Sequence, residues 1–438
     1  MKKIYNLIAI LFLAASTGIA QPTIYPAPEN NGIILITNAT IHVGNGQVIN
    51  NGSIQINKDK IEKVGTDLSV PAGATVYDAK GKHVYPGLIS PSTNLGIKEV
   101  SGGVRASNDF DELGDINPSI RSIVAYTTES GVINVLRTNG ILLANVIPQD
   151  EENSSQLISG TGTVVQLDAW NWEDAAYQMD GQMHLNIPSF VSRRRFFFMP
   201  AASASDPSKE ALDKIDEIKS FLRNAKAYLT ESTHKATNLN FEATRKLFDK
   251  KQKLFVHCNA VREMLLAIDF KKEFDLDVTI VGGADSWQIA SLLKQNNIPV
   301  ILSQTHSLPV AEDDDVDQPF KTPAMLQKAG VLFAIADNDG TTRGRNLSYN
   351  AGTAASYGLS KEEALSAITL NSAKILGIDK MTGSIEVGKD ANIIVSEGDI
   401  MDMGKSVVDM TFIQGRKINL DNKQTQLAER YKQKYGIK

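Results

Sequence analysis

Short apolar runs separated by polar turns dominate the chain from residue 33 onward. Runs at 34–36, 40–43 and 53–56 are separated by turn-forming residues such as Gly44. Short stretches rich in β-branched residues and bounded by glycine and asparagine are typical of hairpin-connected strands. The pattern therefore predicts a small β domain that occupies residues 21–84.

After Pro86 and Gly87 the pattern changes to apolar runs that alternate with amphipathic stretches of helical spacing. Strands are predicted where these apolar runs occur, at 131–135, 254–257, 278–281, 300–302 and 331–335. Strands that alternate with helices predict βα units and a parallel sheet, so the fold class is α/β.

Strand-like runs return near the end of the chain, at 391–395 and 410–413. If they pair with the first strands, both chain ends build one β domain, with residues 384–420 as its second part. Residues 421–438 are polar and predict a surface helix. The segment from about 150 to 240 fits no regular βα spacing, and we interpret it as insertions around the barrel mouth.

The composition is that of an ordinary globular protein. The 438 residues are 42% hydrophobic and 22% charged, with a net charge of -5. A nucleic-acid-binding protein would need a basic face, so the mild acidity argues against that class.

The first residues resemble an export signal. Lys2 and Lys3 precede an apolar stretch at 7–15, and Gly18 and Ala20 suit cleavage. We therefore expect a signal peptide at 1–20 and a periplasmic or secreted protein, with an uncleaved N-terminal anchor as the alternative. No later stretch is long enough to span a membrane. The single cysteine, Cys258, excludes an internal disulfide, and its apolar strand favours a buried thiol over a nucleophile.

Three stretches carry a resemblance to a known family. They are YPGLI at 85–89, the run from LFVHCNAVREMLL at 254 through IPVILS at 303, and GLSKEEALSAITLNSAKILGIDKMTGSIEVGKDANIIV at 358–395. Together they resemble the amidohydrolase superfamily, closest to its imidazolonepropionase-like members. The resemblance implies a (β/α)8 TIM-type barrel over 85–383, with a small β-sandwich domain built from both chain ends.

The resemblance also implies a chemistry. Active relatives hold one or two divalent metals, zinc or similar, which activate water for hydrolysis of non-peptide carbon–nitrogen bonds in small amide-type substrates. Their ligands are two histidines of strand 1, one each of strands 5 and 6, and an aspartate of strand 8. Here the strand 1 positions are Ser92 and Asn94, strand 6 offers Gly282 or Gly283, and strand 5 keeps His257.

The strand 8 position is ambiguous in the run Asp337, Asn338, Asp339, and we prefer Asp337. Asp337 and Asp339 are the candidate catalytic carboxylates. His257, the carbonyl oxygen of Asn94, and His306 after the strand at 300–302 are the candidate metal ligands. His306 could equally be a hydrogen-bonded loop residue, and the acidic run at 313–315 a solvated loop.

Two main functional hypotheses follow from a site that has lost three of its usual ligands. The first is an exported hydrolase with a depleted or rebuilt site and a metal that is weakly bound or absent. The second is an inactive barrel that supports an intact paralogue as a partner subunit, or that binds a small ligand. Homo-oligomers and hetero-oligomers are both compatible with the sequence. The run of three arginines and three phenylalanines at 193–198 fits either a contact surface or a buried strand.

Overall fold

The computed structural model describes residues 24–99, 108–110, 112–149, 156–190, 206–310, 313–339 and 343–437. The predicted signal peptide at 1–20 and the run at 193–198 lie outside the described residues. Two eight-stranded sheets organise the described part of the chain.

The strands, in chain order, are β1 (Ile33–His42), β2 (Val48–Asn57), β3 (Lys60–Gly65), β4 (Thr75–Asp78), β5 (His83–Pro86), β6 (Leu88–Thr93), β7 (Ile141–Val146), β8 (Ile158–Gln166), β9 (Ala176–Asn186), β10 (Lys253–Cys258), β11 (Val278–Gly282), β12 (Val300–Leu302), β13 (Phe333–Ile335), β14 (Ile393–Ser396), β15 (Val408–Ile413) and β16 (Arg416–Lys417). The α-helices are α1 (Ser122–Ala125), α2 (Gly131–Thr138), α3 (Trp172–Ala175), α4 (Pro207–Thr230), α5 (Leu239–Ala243), α6 (Arg245–Phe248), α7 (Val261–Phe274), α8 (Ala290–Gln295), α9 (Gln318–Ala329), α10 (Leu347–Ser356), α11 (Lys361–Ala367), α12 (Leu370–Leu376) and α13 (Lys423–Tyr435).

The smaller sheet unites the two chain ends. Its strand order is β16-β15-β14-β5-β1-β2-β3, with β4 paired to β1. The C-terminal part joins the N-terminal part where β14 pairs antiparallel with β5, for example Ile393 with Pro86. Because all of these strands are hydrogen-bonded into one sheet, the two-layer sandwich remains a prediction.

The larger sheet follows the order β6 to β13 and forms a TIM-type barrel. Its strands from β9 to β13 are parallel, as are β6 and β7. The strand β8 runs antiparallel to both neighbours, which corrects the expectation of a wholly parallel sheet. Only residues 167–175 connect β8 to β9, and a connection this short suits an antiparallel pair better than a parallel crossover.

The insertion assigned to residues 150–240 is also corrected, because β8 and β9 are barrel strands within it. The same segment contains α4, which buries Ile215, Ile218 and Leu222 against the barrel core at helical spacing. In the part of the chain that the structure describes, no helix combines the length and the hydrophobicity needed to cross a bilayer.

The strand predicted at 131–135 is wrong, since these residues begin the helix α2. The Ser130 side chain caps this helix by accepting a hydrogen bond from the Val132 N–H at 3.4 Å. Ile133 and Leu136, three residues apart, are buried on one face of the helix. The barrel strand of this unit follows as β7.

Candidate functional site

The histidine retained on the fifth barrel strand is bound by two other side chains. In β10, the His257 Nδ1 atom lies 3.0 Å from the amide Nε2 of Gln149. The His257 Nε2 atom lies 2.9 Å from Nδ1 of His184, which belongs to β9. Both ring nitrogens of His257 therefore have protein partners.

Both histidines of this pair are neutral. Burial lowers the pKa of His257 to about 3. Burial, and then the neighbouring His257, lower the pKa of His184 well below its ordinary value. Two imidazoles in contact inside a protein favour the uncharged forms, because each charged ring would lack water and repel the other.

The sixth strand cannot supply a ligand. Gly282 ends β11 with φ +100, a conformation that side-chain-bearing residues rarely adopt. A Cβ at this position would lie 2.6 Å from Oδ1 of Asn259 and 2.9 Å from the carbonyl oxygen of Cys258. Gly283, the alternative position, also has a positive φ, of 57°. The backbone conformation of Gly282 and Gly283, as well as the absence of a side chain, thus makes this strand unsuited to carry a metal ligand.

The first strand places its two substituted positions inside the protein. Ser92 lies within β6 and is fully buried, and Asn94 follows the strand and is also buried. The backbone carbonyl of Asn94 accepts hydrogen bonds from the N–H groups of Ile97 and Lys98, so this residue also begins a turn.

The three candidate residues after the eighth strand point to different partners. Asp337 is buried, and its Oδ2 accepts a hydrogen bond from Nδ2 of Asn350 at 3.1 Å. Asn338 donates through Nδ2 to Oγ of Ser303 at 3.2 Å. Asp339 instead accepts a hydrogen bond at 3.3 Å from Nε of Arg343, an exposed residue.

Asp337 is the most deeply buried of the three. Its Oδ1 atom is buried and has no hydrogen-bond partner among the described residues. Burial raises the pKa of the Asp337 carboxyl, and the positive charge of Arg343 opposes this in part. A carboxyl group in this condition can accept a proton or an N–H group more readily than a solvated one.

His306 lies away from the histidine pair. It is exposed on the loop after β12, and its Nε2 atom lies 2.7 Å from Oγ1 of Thr353. In the acidic run nearby, Asp315 forms an ion pair with Lys321 at 2.8 Å. His306 is thus a hydrogen-bonded surface residue, and Asp315 is part of a surface ion pair.

These donors do not fit the metal centre that the resemblance implies. Zinc sites generally use three or four ligands from cysteine, histidine, aspartate and glutamate. Within the described ranges, no group of three or more such side chains could hold an ion. His257 is engaged at both nitrogens, and the sixth strand has no side chain at the ligand position. The expected set of His257, Asn94 and His306 is therefore not assembled as a zinc centre.

A cleft opens beside the C-terminal ends of β11 and β12. Its lining combines polar and apolar side chains, among them Asp285, Leu302, Ser303, Gln304, Thr305 and Leu308. Hydrogen bonds connect its wall to the strand 8 residues. Ser303 accepts from Asn338, and Oγ1 of Thr305 lies 2.9 Å from Oδ1 of Asn350, the residue that holds Asp337.

Cys258 takes no part in this chemistry. It is buried at the end of β10, and burial raises the pKa of its thiol well above the ordinary value. The thiol therefore stays protonated near neutral pH and is a poor nucleophile.

Comparison with known proteins identifies the family. The amidohydrolase family pattern matches residues 154–418, which is more than half of the chain. The chain therefore belongs to the amidohydrolase family, and its sequence likeness within that family extends to imidazolonepropionases.

Three curated relatives illustrate the likeness. The amidohydrolase tasK of Hapsidospora irregularis is 20% identical over 400 residues, which are 82% of this chain and 39% of that protein. The imidazolonepropionase of Flavobacterium johnsoniae is 32% identical over 130 residues, 27% of this chain and 32% of the relative. The 5'-deoxyadenosine deaminase of Methanobrevibacter smithii is 22% identical over 367 residues, 78% of this chain and 79% of the relative. The match thus spans 39% of the length of the tasK protein and 32% of that of the imidazolonepropionase.

Solved structures support the fold. An amidohydrolase from Thermotoga maritima superimposes with a TM-score of 0.75 at 23% identity, covering 88% of this chain and 99% of that one. At this identity the likeness establishes the barrel architecture rather than the activity.

Sequence reasoning missed His184 and Gln149. Both lie next to or within the segment that was assigned to an insertion. One signal was available, because Gln182, His184 and Asn186 alternate with apolar residues, which is the pattern of a strand with one polar face.

Proposed function

We propose that this protein is an exported barrel of the amidohydrolase family that binds a small amide-type molecule at the barrel mouth without metal-activated hydrolysis. One observation carries the proposal: Gln149 and His184 occupy both ring nitrogens of His257, the one histidine kept at a family ligand position. A metal could bind His257 only by displacing one of these partners.

The cleft supports the choice of ligand. It lies at the C-terminal ends of the strands, where the catalytic and binding groups of such barrels are found. Gln304 offers a polar group that can pair with an amide, while Leu302 and Leu308 offer apolar surface. With the export signal expected at 1–20, we propose that this binding occurs in the periplasm or outside the cell.

The test uses the purified mature chain. We expect less than stoichiometric zinc after dialysis, and calorimetry with a panel of cyclic amides and ureas to detect a ligand in the absence of metal. Gln304→Ala, in the cleft wall, is expected to weaken binding about tenfold, the effect of losing one hydrogen bond of about 1.4 kcal/mol. His306→Ala, on the same loop but outside the cleft lining, serves as the matched control.

Stoichiometric zinc that survives dialysis, together with zinc-dependent release of product, would contradict the proposal. Copurification with a second amidohydrolase that retains the strand 1 histidines would favour the partner-subunit hypothesis instead.

A hydrolase with a rebuilt site is the second candidate, and Asp337 favours it. This carboxyl lies just beyond the eighth strand, is buried, and keeps one oxygen without a partner among the described residues. A general base needs such a position and a raised pKa. If the protein turns over an amide, Asp337→Asn should abolish turnover while leaving ligand affinity within about threefold. Retained turnover in this variant would exclude Asp337 as the base.

A further inference from the structure

Three buried side-chain atoms converge on one glycine inside the barrel. They are Nε2 of His184, Oδ1 of Asn145 and Oε1 of Gln182, which lie 2.7, 3.2 and 3.3 Å from the place that a Cβ on Gly162 would occupy. None of the three atoms has a hydrogen-bond partner among the described residues. Buried polar atoms are normally paired, so three at one place indicate a bound group.

The two amides present oxygen, not nitrogen, to this place. The Nδ2 atom of Asn145 donates to the carbonyl oxygen of Pro91 at 3.1 Å. The Nε2 atom of Gln182 faces the carbonyl oxygen of Leu376 at 3.5 Å. Because a backbone carbonyl only accepts hydrogen bonds, these contacts assign both amide orientations. The cluster of three atoms beside Gly162 therefore contains two acceptors.

A series of hydrogen bonds from the barrel mouth determines the proton position on His257. The Asn186 Nδ2 atom donates to the carbonyl oxygen of Gln156 at 2.9 Å and to Oε1 of Gln149 at 3.0 Å. Ser159 also donates to Oε1 of Gln149, at 2.7 Å. Gln149 must then donate through Nε2 to Nδ1 of His257, which accepts.

The same reasoning extends to the second ring. With Nδ1 as an acceptor, neutral His257 carries its proton on Nε2 and donates it to Nδ1 of His184. Neutral His184 must in turn carry its proton on Nε2. The cluster of three atoms beside Gly162 therefore contains one donor, the His184 Nε2–H, in addition to the two acceptors.

We propose that the barrel core binds a single water molecule beside Gly162, held by His184, Asn145 and Gln182. Water supplies two donors for the two amide oxygens and a lone pair for the His184 N–H, which satisfies all three groups. A cation would meet the N–H of His184 with the wrong polarity. Because Gly162 has no Cβ, the three side-chain atoms can approach one another over its backbone. The proposal uses the same Gln149–His257–His184 contacts as the function proposed above, but it concerns the barrel core rather than the cleft.

The bound water has a consequence for the family's chemistry. It completes a series of hydrogen bonds. In this series Gln149 donates to His257, His257 donates to His184, and His184 donates to the water. In this arrangement His257 is held by neutral hydrogen bonds where the resemblance implies a metal. A neutral hydrogen-bonding molecule of water size is thus the ligand class of this site.

The first test is crystallographic, on the mature chain at high resolution, with and without a soak in Mn²⁺ or Zn²⁺. We expect a peak within hydrogen-bond distance of His184 Nε2, Asn145 Oδ1 and Gln182 Oε1, with no anomalous signal after either soak. An absent peak, or an anomalous peak at this place, overturns the proposal.

Nitrogen-15 NMR of the histidine rings gives a second, independent readout. The chain has six histidines, and a His184→Gln variant assigns the signal. We expect His184 to be protonated at Nε2, with slow exchange of that proton. A proton on His184 Nδ1 would overturn the proposal. The three clustered atoms would then all be acceptors, and one water can donate to only two of them.

Gly162→Ala places a methyl group against the three atoms that are proposed to hold the water. We predict that the water peak disappears and that the melting temperature falls relative to Gly181→Ala, a glycine of β9 whose Cβ would meet only the flexible end of Gln178. If Gly162→Ala does not fold, a second variant is available. Gln182→Met removes the Oε1 acceptor while keeping a side chain of similar length. Faster exchange of the His184 Nε2 proton is then expected, and unchanged exchange overturns the proposal.

Discussion

The Nε2 atom of His257 lies 2.9 Å from Nδ1 of His184 inside the barrel, on two adjacent parallel strands. In β10 and β9, His257 pairs in register with Asn186, and Phe255 with His184, so these side chains share the inner face. The contact explains why the retained strand 5 histidine is not available as an ordinary metal ligand.

Removing His257 should reduce stability and leave the metal content unchanged. His257→Ala leaves the Gln149 amide and His184 Nδ1 without their partner, which we expect to lower the free energy of unfolding by about 1–3 kcal/mol. Urea unfolding measures the change, and His306→Ala is the control, expected within about 0.5 kcal/mol of wild type because His306 is exposed. Equal effects of the two substitutions would contradict the assignment.

Acid should destabilise the protein through the same pair. Burial lowers the pKa of His257 to about 3, whereas an unfolded histidine has a pKa of about 6.5. Between these values the unfolded chain binds more protons, so the free energy of unfolding falls as the pH drops from about 6.5 towards 3. Unfolding at a series of pH values should show a shallower slope for His257→Gln. An identical slope would mean that this pair does not titrate as described.

A side chain on Gly282 should be costly and should not restore metal binding. Gly282→Ala combines a positive φ with a Cβ 2.6 Å from Asn259 Oδ1, so we expect a loss of about 1 kcal/mol or more. Gly65→Ala is the control, because its Cβ would meet nothing within 4 Å. Gly282→His should therefore bind no more zinc than wild type, as measured by metal analysis after dialysis. Tight zinc binding by Gly282→His would contradict this account of the strand.

The buried carboxylate Asp168 should be essential for joining the chain end to the barrel. It forms ion pairs with Arg137 of α2 and, at 3.1 Å, with Arg416 of β16. Asp168→Asn leaves two arginines without their counter-charge, and we expect a loss of about 3–5 kcal/mol. Thermal and urea unfolding measure it. The control is Asp409→Ala at the exposed pair with Lys82, where we expect about 1 kcal/mol or less.

Strong local patterns predicted several barrel strands well. The strand predicted at 300–302 occurs with these bounds, and that at 254–257 is extended by one residue at each end. The residues 300–302 and 254–256 are apolar and buried. The run at 131–135 is equally apolar but forms a helix, because its buried residues are spaced for one face of a helix and Ser130 caps it.

Sequence by itself determined the family, because the resemblance depends on residue identity within long, recognisable stretches. Ser92, Asn94, Gly282 and His257 could be assigned to the first, sixth and fifth strands in this way. The partners of these residues were decided only by the tertiary structure. Gln149 and His184 come from other strands and loops, and hydrogen bonds between residues 73 and 108 positions apart leave no periodic trace in the chain. The barrel brings these groups within hydrogen-bond distance, and burial then makes each of them require a partner.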